Sequence, residues 1–245
     1  MNDNLVLISG PSGTGKSFCL KDLKDPEGVL YLNTESNKKL PFPAKFQQFN
    51  ITDPYQITEA FAAAELPYEP GGAFTAPVHT IVVDTLTFGF DQFESLYIAS
   101  VKDGREGWQA FAQWFKTLMQ QEVANSTKNV IFLAHTLAMD NEENILEIKV
   151  PVKGSLKNNG IESYFSTVIS TKKMAVKKAA AYKSELLTIT EDDEDRGVKY
   201  CFQTSIDKNS VNERMRGPLG LFTRDERIID NNLQLVLDRL HEYYG

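Results

Sequence analysis

A glycine-rich stretch near the start of the chain limits the possible folds more than any other feature. Residues 10–17 read Gly-Pro-Ser-Gly-Thr-Gly-Lys-Ser and fill every fixed position of the pattern G-x-x-x-x-G-K-[ST]. The apolar run 5–8 before it predicts a buried parallel strand, and apolar residues at helical spacing over 18–23 predict a helix after it. Strand, glycine loop and helix in this order predict a phosphate-binding loop (the P-loop, residues 10–17).

The residue types in the P-loop suit the binding of a nucleotide and Mg²⁺. Glycines let the backbone amides surround an anion, because a side chain would block the approach, and the positive end of a following helix adds to the attraction. Lys16 has the reach to contact the β- and γ-phosphates, and the Ser17 hydroxyl is suited to ligate Mg²⁺. The predicted nucleotide-binding residues are Gly10, Pro11, Ser12, Gly13, Thr14, Gly15, Lys16, Ser17 and Phe18.

The composition excludes several classes of protein. The length of 245 residues suits one α/β domain, and 42% hydrophobic with 24% charged residues is typical of a globular protein. The apolar runs are too short for a membrane span, and two cysteines, Cys19 and Cys201, are too few for a disulfide framework. We therefore expect a cytoplasmic protein with no membrane partner. The net charge of −7 argues against coating of nucleic acid by the whole surface, but it allows a local basic groove.

Three further predicted strands end in polar residues, as strands do where a parallel sheet meets its ligand. These strands and their polar residues are 29–33 with Glu35, 79–85 with Asp84, and 129–136 with His135. Asp84 fits the Walker B pattern, in which a buried strand carries an acid to the Mg²⁺ shell, so Ser17 and Asp84 are the predicted metal ligands. For His135 or Thr136, a role in sensing the γ-phosphate and a purely structural role are equally supported.

The remaining sequence predicts helices and strands that alternate first and become less regular later. Helices are expected over 54–66, 88–124 and 230–243, strands over 163–170, 184–190 and 198–204, a hairpin or loop at 140–144, a solvated turn at 191–195, and irregular structure over 36–50. We therefore predict an α/β fold with a mainly parallel sheet flanked by helices. It forms a single domain over 1–245, with a core over 4–136, and the C-terminal strands and final helix lie within 137–245.

The arrangement of acids narrows the kind of P-loop protein. Many hydrolytic P-loop enzymes carry the water-activating Glu directly after the Walker B Asp, but Thr85 occupies that position here. The best-placed carboxylate is Glu35, at the tip of the strand that follows the P-loop. With the strand ends Asp84-Thr85 and His135-Thr136, this pattern resembles the small phage-encoded RecA-like ATPases related to single-strand annealing and recombination proteins.

The resemblance extends the expected function. It implies a RecA-type core with ATP bound between the subunits of a homo-oligomer, in the cytoplasm of the host cell. It further implies single-stranded DNA as a partner, phage recombination or replication proteins as further partners, and Glu35 as the residue that activates water. In RecA-like relatives, lysines or arginines of the C-terminal region reach a neighbour's ATP. Lys208 is the first choice for that role here, although a solvated surface lysine is at least as well supported.

Two groups of lysines are candidates for contact with single-stranded DNA. They are Lys149, Lys153 and Lys157, after the strand that ends at His135-Thr136, and Lys172, Lys173, Lys177 and Lys178. The alternative, that these side chains only keep a surface loop soluble, is equally supported. Two other functions also remain open: a P-loop kinase that phosphorylates a nucleoside or nucleotide, and a slow ATPase switch that acts through protein partners.

Overall fold

The computed structural model describes residues 2–99, 101, 104–140 and 144–245. The strands are β1 (Leu5–Gly10), β2 (Val29–Asn33), β3 (Gln47–Asn50), β4 (Thr80–Asp84), β5 (Asn129–His135), β6 (Leu137–Asp140), β7 (Leu146–Lys149), β8 (Thr167–Ala175), β9 (Val198–Gln203) and β10 (Ile228–Asp230). The α-helices are α1 (Tyr55–Glu65), α2 (Leu86–Phe93), α3 (Gly104–Thr117), α4 (Val176–Ala179), α5 (Glu191–Arg196) and α6 (Leu233–Tyr244).

Eight strands form one sheet in the order β10-β9-β8-β1-β5-β4-β2-β3. The six strands from β8 to β3 in this order are parallel, and β9 and β10 extend the sheet in antiparallel pairing. Parallel strands end at the same edge, so the P-loop, Glu35, Asp84 and His135 all arrive at one edge of the sheet. Between β1 and β4 lies β5, so the strand that carries Asp84 is not the immediate neighbour of the P-loop strand.

The sheet is covered on both faces, which explains why its central strands are continuous apolar runs. Side chains alternate between the two faces of β1: Leu7 packs in a cluster with α1, α2 and α3, whereas Val6 and Ile8 pack in a second cluster with α6. The predicted α/β class, with a mainly parallel sheet flanked by helices and with C-terminal strands, is confirmed. Among the described residues, no helix combines the length and apolar character that crossing a membrane requires.

The prediction of a helix over 18–23, directly after the P-loop, is wrong in extent. Only a 3₁₀ turn, Ser17–Leu20, follows the loop, and a second 3₁₀ turn, Pro26–Gly28, leads into β2. The helical segment predicted over 88–124 forms two helices, because Ala99 and Val101 lie outside helical structure. Each helix continues into a π-helical turn, α2 at Glu94–Ile98 and α3 at Leu118–Val123.

The less regular regions depart further from the sequence prediction. The predicted strand 184–190 is absent, and the predicted solvated turn 191–195 is helix α5. Thr190 and Asp193 form a reciprocal capping box that starts this helix. The region 36–50 contains the edge strand β3, and β8 begins later than predicted because a 3₁₀ turn, Ile161–Tyr164, precedes it. The predicted hairpin at 140–144 corresponds to the antiparallel pair β6–β7, and residues 141–143 lie outside the described residues.

Candidate nucleotide-binding site

The P-loop glycines are required by both backbone angles and space. Gly13 and Gly15 have φ angles of 76° and 93°, in the left-handed region that favours glycine. A Cβ atom at Gly10 would lie 2.1 Å from Thr171 Oγ1, and one at Gly15 would lie 2.5 Å from Asn231 Nδ2. The loop is therefore packed closely against β8 and against the segment that follows β10.

A cavity of about 610 Å³ opens beside the P-loop at the carboxyl edge of the sheet. The predicted site residues that line it are Ser12, Gly13, Gly15, Lys16, Ser17, Phe18, Glu35, Asp84 and His135. The other predicted loop residues, Gly10, Pro11 and Thr14, lie outside the lining; Thr14 Oγ1 donates to the Pro11 carbonyl over 2.7 Å. Lys208 is exposed in a turn after β9, also outside this lining, so it does not belong to the site of its own chain.

Lys16 is buried and turned back onto the loop that carries it. Its ammonium donates to the carbonyl oxygens of Gly10 and Pro11, each over 2.9 Å. Burial lowers the pKa of Lys16 to about 8, and the nearby carboxylates of Asp84 and Glu35 act against this shift. These carbonyl bonds are interactions that a phosphate group can replace, since phosphate oxygens are stronger acceptors for an ammonium.

Asp84 is held at one of its two carboxylate oxygens. The buried Tyr31 hydroxyl donates to Asp84 Oδ2 over 2.7 Å, while Oδ1 is buried and meets no donor among the described residues. Burial raises the pKa of Asp84, and the hydroxyls of Ser17 and Tyr31 act in the opposite direction. A carboxylate oxygen without a donor, beside the Ser17 hydroxyl, fits a hard cation that takes oxygen ligands, so the residues present suit Mg²⁺.

Glu35 is an ionised carboxylate in the same cavity. His135 Nε2 lies 3.4 Å from Glu35 Oε1, and the Lys38 ammonium donates to Oε2 over 2.6 Å. The His135 hydrogen bond, together with Lys38, lowers the pKa of Glu35 to about 2, although burial acts against the shift. The cavity therefore contains a charged lysine at the phosphate loop, a candidate metal ligand and a second anionic carboxylate at a strand tip.

Sequence reasoning missed several residues that shape the cavity. These are Tyr31, Lys38, Arg196, Lys199, Tyr200, Asp230 and Asn231. Tyr31 lies within a strand that was recognised only by its apolar character. The residues after position 190 reach the P-loop only because β9 and β10 extend the sheet beyond β8, and no local pattern signals this addition.

The lysines predicted to contact DNA differ in whether a carboxylate of the described residues pairs with them. Three of them bind carboxylates: Lys149 to Glu147 over 3.0 Å, Lys153 to Glu94 over 2.7 Å, and Lys172 to Glu213. The others, Lys157, Lys173, Lys177 and Lys178, are exposed. A continuous groove formed by all seven lysines would therefore contain acids as well.

Comparison with known proteins identifies the family. No curated protein matches the chain. A family model described as AAA domain (AAA_24) matches residues 2–214, which span β1 to β9 and the P-loop cavity except its β10 side. Members of this type of family are P-loop proteins that generally bind and hydrolyse nucleotides, in agreement with the cavity geometry. The chain therefore belongs to the AAA-domain family AAA_24.

Proposed function

We propose that this protein is a Mg²⁺-dependent, RecA-like ATPase that binds single-stranded DNA and acts in phage recombination, annealing or replication. The observation that supports it most strongly is the position of β5 between β1 and β4, with His135 in the P-loop cavity 3.4 Å from Glu35. A nucleotide bound at the P-loop would place the end of its phosphate chain beside Glu35 and His135. The backbone continues from His135 directly into the hairpin β6–β7.

The residues of the cavity provide what phosphoryl transfer to water requires. Lys16 binds the β- and γ-phosphates once it leaves the carbonyls of Gly10 and Pro11. Ser17 and Asp84 would hold Mg²⁺, which when bound would neutralise part of the phosphate charge. Glu35 orients the attacking water, whose oxygen bonds to the γ-phosphorus as the bond to the leaving ADP breaks.

A second cavity supports the coupling to DNA. It has a volume of about 470 Å³ and shares Ser12 and His135 with the P-loop cavity. Much of its lining is aromatic or aliphatic, including Phe88, Trp108 and Leu137. Bases of single-stranded nucleic acid stack on aromatic side chains without need for a particular sequence. A contact here would reach the γ-phosphate through His135.

In the proposed oligomer, Lys208 would act at the ATP site of a neighbouring subunit rather than at the site of its own chain. Lys208 is exposed and outside the cavity lining of its own chain. In a homo-oligomer with ATP at the subunit interfaces, it would supply a cation to the γ-phosphate bound by the neighbouring subunit. Lys208→Ala would then lower turnover without weakening ATP binding to the isolated subunit.

ATP turnover measured with and without single-stranded DNA, together with oligomer size in the presence of a non-hydrolysable ATP analogue, tests the proposal. Stimulation by DNA, assembly with the analogue, and loss of turnover in Lys16→Ala are expected. Turnover near the wild-type rate in Lys16→Ala would contradict the site assignment. Transfer of the γ-phosphate to a nucleoside or nucleotide instead of water would support a kinase, and slow turnover without any DNA effect would support a switch.

A further inference from the structure

One wall of the P-loop cavity is built by C-terminal elements to which the hydrolysis chemistry assigns no role. The wall comes from α5, β9, the end of β10 and the segment after it, and consists of Arg196, Lys199, Tyr200, Asp230, Asn231 and Asn232. It contacts the P-loop at Gly15, whose carbonyl accepts a hydrogen bond from Asn231 Nδ2 over 2.9 Å. This contact is one residue before Lys16, so the wall adjoins the phosphate site.

The sheet order determines which part of a nucleotide meets this wall. Asp84 and His135 end β4 and β5, and Glu35 follows the end of β2 by two residues. These three strands lie on one side of β1. The strands β8, β9 and β10 lie on the other side of β1. A nucleotide whose terminal phosphate lies at the first group must extend across the P-loop, so its nucleoside lies toward β9 and β10.

The charges of the wall are unsuited to phosphate. The Lys199 ammonium is enclosed by two carboxylates, with Asp193 Oδ2 at 3.1 Å and Asp230 Oδ1 at 2.8 Å. Arg196 Nη2 also lies 3.5 Å from Asp193 Oδ1, so two cations face two acids in this wall. Because these charges balance, the wall has no excess positive charge to attract a further anion. The neutral groups beside Lys199, an aromatic ring and two amides, instead match the chemistry of a base and a sugar.

The aromatic ring of Tyr200 provides a flat surface within this wall. The position that a Cβ atom on Gly15 would occupy lies 3.4 Å from Tyr200 Cδ1, so the ring is in contact range of the P-loop backbone. Lys173 Nζ lies 5.8 Å from the ring centroid, which is cation–π range. Tyr200 is half-buried and lines the cavity. Beside it, Asn231 Oδ1 is buried and meets no donor among the described residues.

We propose that Tyr200 is the stacking surface for the base of the bound nucleoside triphosphate and that Asn231 Oδ1 accepts a hydrogen bond from the nucleoside. The assignment rests on the proposed function, because it requires a nucleotide in the P-loop cavity. It adds that the C-terminal wall, rather than the P-loop, distinguishes a nucleotide from a free polyphosphate.

Binding of ATP and of inorganic tripolyphosphate, each with Mg²⁺, separates the two parts of the site. Wild type should bind ATP more tightly than tripolyphosphate. Tyr200→Ala should weaken ATP binding by about 10-fold, the range of one base–aromatic stack, and leave tripolyphosphate binding unchanged. Tyr200→Phe keeps the ring and should bind both ligands as wild type does. Tyr244→Ala removes an exposed tyrosine outside the cavity and serves as the matched control.

Each contrary result has a distinct meaning. If Tyr200→Ala does not fold, Tyr200→Leu keeps the bulk without the ring and should show the same selective loss. Equal loss of both ligands, or equal affinity of the wild type for both, would overturn the base-stacking assignment while leaving the ATPase proposal intact. A wild-type protein that binds neither ligand would overturn both proposals.

Discussion

The Tyr31 hydroxyl donates a 2.7 Å hydrogen bond to Asp84 Oδ2 and leaves Oδ1 of the same carboxylate without a donor among the described residues. Both side chains are buried, and they lie on the neighbouring strands β2 and β4. Tyr31 therefore sets the orientation of the carboxylate. Of the two oxygens, Oδ1 is the one that remains to accept a ligand.

Tyr31→Phe tests this orientation through metal binding. Loss of the hydroxyl should weaken Mg²⁺-dependent ATP binding by about 10-fold, since partners of metal ligands typically have effects of this size. Nucleotide binding in the presence of a chelator should not change. Tyr97→Phe removes a similar tyrosine–aspartate hydrogen bond, to Asp53, and serves as the control. An equal loss with and without Mg²⁺ would show that Tyr31 has no specific effect on the metal site.

Glu35→Gln should slow ATP hydrolysis by about 10²-fold or more and preserve ATP and Mg²⁺ binding. The substitution keeps the shape of the side chain but removes the anionic oxygen that orients water. Steady-state turnover and equilibrium binding, measured on the same samples, check the result. The exposed Glu59 on α1 provides the control Glu59→Gln, which should behave as wild type. Unchanged turnover in Glu35→Gln would assign the water-orienting role to another residue, with His135 next to be tested.

The lowered pKa of Lys16 predicts a pH-dependent stability. Its pKa is about 8 in the folded protein without ligand and near 10.5 in the unfolded chain, so the unfolded state binds more protons between these values. The cost of burying the charge is therefore present at pH 7 and is relieved as the pH rises through 8. Relative to Lys16→Met, wild type should gain about 2 kcal/mol in free energy of unfolding between pH 8 and pH 10.

Denaturant unfolding at several pH values, without nucleotide, measures this gain. Lys128→Met changes a lysine outside the cavity and should leave the pH dependence of the wild type unaltered. A constant difference in free energy of unfolding between wild type and Lys16→Met across this range would mean that Lys16 keeps its ordinary pKa.

The exposed lysines of α4 are the sharper test of DNA binding, because they have no carboxylate partner among the described residues. Lys177 and Lys178 follow β8 and lie at the same edge of the sheet as the P-loop. Each phosphate contact removed in Lys177→Ala/Lys178→Ala should lower the salt slope of single-strand binding by about 0.7. The control Lys116→Ala/Lys128→Ala changes a lysine in the last turn of α3 and a lysine directly before β5, and neither lines the P-loop cavity. Equal slopes in wild type and the α4 variant would exclude these lysines from the DNA contact.

The functional edge of the sheet could be predicted because its signals are local. The P-loop pattern is contiguous, and Glu35, Asp84 and His135 each follow an apolar run, so strand ends alone bring them to one edge. Tyr31 was missed for a different reason. A tyrosine within an apolar strand has the same pattern whether it packs or donates a hydrogen bond to a residue 53 positions away.

The C-terminal part could not be predicted because it depends on pairing between distant strands. The addition of β9 and β10 to the sheet brings Tyr200 and Asn231 to the P-loop, and no short-range pattern encodes that order. The solvated turn predicted at the position of helix α5 was wrong for a different reason. The start signal of the helix, Thr190 followed three residues later by Asp193, is present in the sequence, but the run of acids suggested a solvated turn.

The close packing of Gly10 against Thr171 joins the P-loop to β8, a strand from the C-terminal part of the chain. A single methyl group at Gly10 would collide with β8, so the P-loop takes its shape against a strand that arrives more than 150 residues later. Without β8, β1 would become the edge of the sheet, with a row of unpaired backbone groups open to other chains. An N-terminal fragment that retains the complete loop motif would therefore be prone to aggregate rather than to bind nucleotide.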